Sequence, residues 1–334
     1  MSNEGQTPDL TGDRGFRTVR ESTYKYALAG CALLSVLTTV SIIAVLVIDA
    51  AEFFSRVPIS EFLTGTVFSA SEGVFGVLPL VLGTFLITVG AAVIALPIGL
   101  LTAIYLSEYA SKRTRSVLKP MLEVLAGVPT VVYGYFAIVY ITPALNVFIS
   151  WLNGTLGTQF PTLGLFNGLS ASIVVGIMII PMVSSISEDA MSSVPDSLRQ
   201  AGYGLGATKF NVSLRIVVPA AISGIASSFI LAISRAIGET MAVVLAAGSQ
   251  PPDIPAVQSA FGIPYVAPGD LLALYSESSA TMTVAMIDLA TGDISGGSTA
   301  YQALFAIGLT LFTITLVMNV VSDLVASRYR EEYE

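Results

Sequence analysis

The sequence predicts an all-α integral membrane protein with about six transmembrane helices. Two observations carry the class. The 334 residues are 54% hydrophobic and only 11% charged, with a mean hydropathy of +0.79, whereas a soluble domain carries about 25% charged residues. Six apolar runs, 26–48, 77–106, 121–143, 169–187, 219–248 and 301–325, are long enough to cross a bilayer, which takes about 20 residues of helix. A third observation sets the orientation. Of fifteen Lys and Arg, thirteen fall in the N-terminal tail, the 107–120 loop, the 188–218 loop and the C-terminal Arg328 and Arg330. Arg56 lies on the other side, and Arg235 lies inside a run. Inner loops collect the basic residues, so both termini are expected to be cytoplasmic in a multi-pass cell-membrane protein.

The runs divide the chain. Residues 1–25 form a hydrophilic tail holding Arg14, Arg17, Arg20 and Lys25. The run 26–48 is longer than the apolar region of a cleavable signal, about 7–15 residues, and is read as a retained first span. The main transmembrane domain is expected over 77–325, with a tail at 326–334. The second run exceeds one span and holds Pro97, where a tilt or kink is expected. The third opens at Glu123 and carries Pro129 and Pro143. The outer segments are 49–76, 149–168 and 249–300. The last has Asp253, Asp270, Glu277, Asp288 and Asp293 with no positive charge. It reads either as a solvated loop or as a surface for an outside partner.

Composition narrows the chemistry. There is no histidine, which removes the commonest metal ligand and the proton carrier of neutral pH. Cys31 is the single cysteine, so there is no disulfide framework. No metal, no cofactor and no nucleic-acid partner are expected. The net charge of −8, with Lys only at 25, 112, 119 and 209, is the balance expected of a halophilic archaeon, where surface carboxylates keep a protein soluble.

Arg235 and Glu239 are the only charged residues between Pro219 and Gly248. An arginine at the centre of a membrane helix costs about 2.5–3.5 kcal/mol on insertion scales, so such residues usually have a use. At i, i+4 on one continuous helix the pair would share a face. A guanidinium offers five donors in a fork suited to an oxyanion. Glu239 could neutralise Arg235 at rest, offsetting the cost of a lone buried charge, or take a proton from a passing anion. Thr240 adds a hydroxyl donor. A structural ion pair between helices is the competing reading. Glu123 is a lesser candidate that snorkelling to the interface also explains.

The loop 188–219 is the other unusual segment. Pro195-Asp196-Ser197 reads as a helix start, Leu198, Ala201 and Leu205 follow at helical spacing, and Gly206 stops the helix. A second short helix is expected from Thr208 to Val217. Such a unit could dock another subunit or lie on lipid headgroups.

Here the residues resemble a known family. Gln200-Ala201-Gly202, then Gly206, Ile216 and Val218-Pro219, match the spacing of the coupling loop of ATP-binding-cassette importer permeases. The departures are Gln200 for the usual glutamate, Gly202 for alanine and Val218 for leucine. Without that glutamate, Arg199 or Gln200 would have to meet the ATPase differently. Ser107-Glu-Tyr-Ala110, Leu122-Glu-Val-Leu-Ala-Gly-Val-Pro-Thr-Val-Val-Tyr-Gly134 and Arg235-Ala-Ile-Gly-Glu-Thr-Met-Ala242 resemble the phosphate-specific (Pst) importer permeases, with Met-Ala after Gly-Glu-Thr similar to the PstC-type subunit.

The resemblance implies a type I, MetI-like permease architecture with a phosphate pathway at Arg235, Glu239 and Thr240. It implies ATPase coupling through Arg199, Gln200, Ala201, Gly202, Gly206, Ile216 and Pro219. It further implies a second, PstA-like permease, two PstB-like ATPase subunits and an external PstS-like phosphate-binding protein. The chain has no Gly-Lys dipeptide and hence no Walker A loop, so it is expected to be no enzyme, with ATP hydrolysed by a separate subunit. Three alternatives stay open. The first is a permease for sulfate, molybdate or phosphonate. The second is a membrane enzyme, which would want His, or Ser and Lys at helical spacing, or a secondary carrier, which would want inverted repeats and more intramembrane carboxylates. The third is a purely structural subunit.

Overall fold

A computed structural model describes residues 14–255, 258–260, 263–265 and 267–328. Helix α1, Arg14–Arg56, is the first span and overshoots its apolar run at both ends. At about 1.5 Å per residue its 43 residues far exceed the ~30 Å hydrocarbon core. No residue of its lipid-length window is fully buried, although its Leu46 approaches Gly308 of the last helix so closely that a Cβ there would stand 3.1 Å from Leu46 Cδ2. Its C-terminal end is held most firmly: Phe53 packs edge-on against Phe54, Phe62 and Phe75 at ring separations of 5.3–5.5 Å. Phe62 comes from α2, Ile59–Thr64. Phe75 comes from a hairpin of β1, Phe68–Ser69, and β2, Val74–Phe75, paired Phe68 to Phe75.

Helix α3, Leu78–Ile104, is the second span and runs on through Pro97. It ends in a π-helical turn at Tyr105–Tyr109. Next comes α4, Lys112–Ala126, capped by the Ser111 side chain on the Thr114 amide. Here the structure corrects the third span, expected at 121–143. Residues 112–126 form a separate helix with no buried side chain. It stops at Gly127, because Pro129 disfavours helical backbone at Val128. The true span is Thr130–Leu156, built from α5, Thr130–Phe136, a π-turn at Ala137–Ile141, and α6, Thr142–Leu156, with Pro143 tolerated in its first turn.

Helix α7, Gly168–Ser192, is the fourth span, and Asn167 caps it through the Ser170 amide. It lies against α3 along most of its length. Small residues make that possible: a Cβ at Gly90 would stand 2.5 Å from Ser172 Oγ, and one at Gly99 would stand 2.6 Å from Val183 Cβ. Membrane helices without a hydrophobic drive between them associate through such close backbone contact. The buried core runs from Ile87, Ala91 and Ala95 to Val174, Val175, Ile179 and Val183.

The loop between spans four and five follows as α8, Asp196–Gly204, and α9, Lys209–Val212, extended by a π-turn at Ser213–Val217. Gly206 makes the turn between them at φ 79°, a conformation that costs glycine nothing. Both helices fall where the sequence places them. The face does not: Leu198 packs inward, whereas Leu205 caps α8 and is 90% exposed.

The fifth span departs most from expectation. Instead of one helix over 219–248 there are three pieces: α10, Val218–Ala220, α11, Ile222–Ile237, and α12, Met241–Ala247. The chain bends 71° at Ala221. Gly224 then lies so close to α7 that an added Cβ would meet Ala190 Cβ at 2.4 Å. Residues 238–240 make the second break.

The segment 249–300 is not a solvated loop. After the paired strands β3, Gln258–Ala260, and β4, Ile263–Tyr265, α13, Pro268–Ser276, and α14, Met282–Thr291, fold back onto the bundle. Ala280, Met282 and Val284 are fully buried. The sixth span, α15, Thr299–Arg328, closes the bundle against α1, α11 and α14.

Candidate functional site

Gly238 ends α11. Glycine has poor helix propensity, and beyond it the Glu239 amide turns back to Ala236 O at 3.3 Å, a tighter hydrogen bond than the helical one. Thr240 adopts φ −122° and ψ −60°, and α12 starts afresh at Met241. Arg235 and Glu239 therefore do not stack on one continuous helix, which corrects the reading from their spacing. No ion pair joins them among the described residues. The Glu239 side chain is folded under α12, where its Oε1 accepts from the Ala242 amide at 3.2 Å. The residue is 8% exposed. Its carbonyl accepts from Thr283 Oγ1 at 3.0 Å, tying the break to α14. A carboxylate at a helix N-terminus satisfies an orphan amide and meets the positive end of the helix dipole.

Arg235, in the last turn of α11, is exposed. Its guanidinium makes no hydrogen bond or ion pair among the described residues. The Thr240 hydroxyl turns back on Gly238 O at 3.2 Å, so it is occupied locally. The structure thus places Glu239 inside the fold and leaves Arg235 on its face.

Two of the singled-out sequence stretches meet at this break. Gly134 of α5 lies against α12, where an added Cβ would stand 2.8 Å from Leu245 Cβ and 3.0 Å from Ala242 O. On the other flank, Ser234 Oγ donates to Asn319 Oδ1 of α15 at 2.8 Å.

In the loop between spans four and five, the residues matching the coupling-loop pattern divide by role. Gln200, Ala201 and Pro219 are exposed. Gly202 is buried, and a Cβ there would meet Ile216 Cδ1 at 2.6 Å, so these two positions hold α8 against the following π-turn. Arg199 faces inward and is spent inside the chain. It donates to Met191 O at 2.8 Å and Val194 O at 2.6 Å, and it pairs with Glu108. Among the side chains the loop offers outward are three large apolar ones, Tyr203, Leu205 and Phe210.

Sequence reasoning missed Glu188. It is fully buried at the inner end of α7, paired with Arg115 and Lys119 of α4, and it accepts from Ser192 Oγ at 2.8 Å. The signal was present in the basic residues of 112–119 and the adjacent Glu188-Asp189 across one inner face. Glu123 sits exposed on α4, outside any span. On α14, burial raises the pKa of Asp288 above the ordinary carboxylate value, and a hydrogen bond from Ser249 opposes the shift.

A helical membrane bundle with a broken span bearing an exposed guanidinium, and a folded loop presenting three large apolar side chains, defines the membrane subunit of a transporter. The chain belongs to the family described as the binding-protein-dependent transport system inner membrane component, whose profile matches residues 95–331. It is 31% identical to the phosphate transport system permease protein PstC of Haemophilus influenzae, over 96% of this chain and 98% of that one. It is also 31% identical to the probable ABC transporter permease protein YqgH of Bacillus subtilis, over 96% of this chain and 95% of that one. In fold it is similar to a chain of a bacterial ABC transporter involved in import of the acidic polysaccharide alginate, with TM-score 0.59 and 13% identity over 94% of this chain and all of that one.

Proposed function

We propose that the chain is the PstC-type permease subunit of an ATP-driven importer of inorganic phosphate, forming half of the translocation pathway. The observation that carries this reading is the near full-length likeness to phosphate permeases, joined to Arg235. Among the described residues it is the one basic side chain in a span away from the span ends, and it is left without a partner. A lone guanidinium compensates an oxyanion in a low-dielectric pathway and presents bidentate donors. Its open face is where a second, PstA-like permease would close the other half of the pathway.

In this reading both tails and α8–α9 lie in the cytoplasm. The exposed Tyr203, Leu205 and Phe210 seat one of two PstB-like ATPase subunits, and the outer loops receive a PstS-like phosphate-binding protein. ATP hydrolysis belongs to the ATPase subunits. The layout is a tail at 1–25, a first span through 26–48, a transmembrane domain over 77–325 with its coupling loop at 188–219, and a tail at 326–334. The acid-rich composition fits a salt-adapted habitat.

The test is reconstitution of the full complex in proteoliposomes with labelled phosphate. Uptake is expected to need ATP, the ATPase subunits and the binding protein, and to resist competition by excess sulfate, molybdate or phosphonate. Uptake that continues without the ATPase rejects an ATP-driven importer. Competition by another oxyanion reassigns the substrate.

A further inference from the structure

The Ser107-Glu108-Tyr109 segment has no part in the pathway around Arg235, yet it touches both helices of the inner loop. Residues Tyr105–Tyr109 wind as a π-turn, closed by the Ala110 amide on Tyr105 O at 2.8 Å. Such a turn inserts one residue into the helical ladder and swings the residues beyond it by about 100° around the axis. The swing is put to use on both sides. The Glu108 side chain is 4% exposed, and its Oε1 accepts from Arg199 Nε and Nη2 of α8 at 3.2 and 3.0 Å. One residue on, the Tyr109 ring lies under Lys209 Nζ of α9, 5.0 Å from its centroid.

Arg199 carries the contact onward to the carbonyls of Met191 and Val194, at and just beyond the inner end of α7. Between these polar ties lies a separate apolar cluster that includes Ala103 of α3, Met191 of α7, and Val212 and Val217 of the loop. The inner ends of spans two and four and the loop thus form one packed block. The 71° bend at Ala221 is where the chain leaves that block for α11 and Arg235.

We propose that Glu108 is a positioning residue for energy coupling: through Arg199 it seats α8 and α9 on spans two and four, so that a displacement of the loop moves both spans together. This rests on the reading that an ATPase docks on α8 and α9. A half-buried guanidinium held by the Glu108 carboxylate, by Asp196 of its own helix at 3.3 Å and by two carbonyls has one favoured seat. Removing the Glu108 charge loosens the tie to span two and lets the loop move without it, so that the two spans no longer move together.

The experiment uses the full complex in proteoliposomes, with ATP hydrolysis and labelled phosphate uptake measured on the same vesicles. Glu108→Gln is expected to raise the ATP spent per phosphate imported about tenfold, the scale of one charge-assisted hydrogen bond, while hydrolysis continues. A second variant, Glu108→Cys with Arg199→Cys in a Cys31→Ser background, is expected to be uncoupled as made and recoupled when a bismaleimide spacer joins the two thiols. A merely structural tie would change yield and melting and leave the ratio alone. A wild-type ratio in Glu108→Gln, or a tether that leaves the second variant uncoupled or stops turnover, overturns the proposal. If the unmodified complex imports no phosphate on ATP, it is the proposed function that falls.

Discussion

Arg235 and Glu239 are four residues apart and do different things. Glu239 is a helix cap: truncation to Ala leaves the Ala242 amide unsatisfied and is expected to cost about 1 kcal/mol. Glu239→Gln retains an acceptor oxygen and should melt close to the parent chain in detergent. A Gln variant that melts as low as the Ala variant would refute the cap. Arg235 supports no part of the fold, so Arg235→Ala should assemble with its partners and melt normally. Its phosphate uptake should fall roughly thirtyfold, the loss of a charge-assisted contact of about 2 kcal/mol; unchanged uptake removes it from the pathway. Asp288 gives a pH signature. Its pKa is raised in the folded chain by burial, so the native state binds the proton more readily than the unfolded state. Stability therefore falls as pH rises from the ordinary carboxylate value through the raised one, and is flat above. Asp288→Asn should flatten that limb of the melting profile just above the ordinary carboxylate value, whereas an unchanged slope would assign it to other groups.

Among the elements, helix existence was legible and helix continuity was not. Pro195-Asp196-Ser197 and Gly206 bounded α8 because start and stop chemistry is local, and the structure agrees within two residues. The third span was misplaced because Met121, Leu122, Val124 and Leu125 look apolar enough to cross a membrane. They lie instead on α4, which the ion pairs to Glu188 hold beside α7. No window average sees a partner 69 residues away. The break at 238–240 was hidden for a similar reason. One glycine in an apolar run is usually absorbed, and here the tie from Thr283 and the approach of α5 favour the interruption. That approach can be tested. Gly134→Ala would push a methyl to 2.8 Å from Leu245 Cβ, and overpacking of this kind costs about 1–3 kcal/mol. A melting temperature lower by several degrees is expected; an unchanged one would mean that α5 gives way freely.

For the whole molecule, the basic-residue count and the six runs were enough to read the class, and the spaced glycines and Pro219 of the inner loop were enough to read the family. Which side chains stay free was not legible, because that depends on distant partners: Arg199 is consumed by Glu108, while Arg235 meets no counterpart among the described residues. The broken fifth span also bears on how the chain is made. Helix α11 has 16 residues, about 24 Å of helix against ~30 Å of hydrocarbon, and it carries four serines and Arg235. Leaving the translocon alone, it would partition poorly. But α7 is synthesised earlier and offers Ser187 to Ser228 at 2.7 Å and a groove for Gly224 at Ala190. Fused singly to a reporter, segment 218–248 should insert in a minority of chains, and in most once 168–192 precedes it. Equal insertion in both would show that the segment enters unaided. The order in which the ribosome delivers these helices is then a requirement of the fold, and a permuted gene that made α11 before α7 would forfeit it.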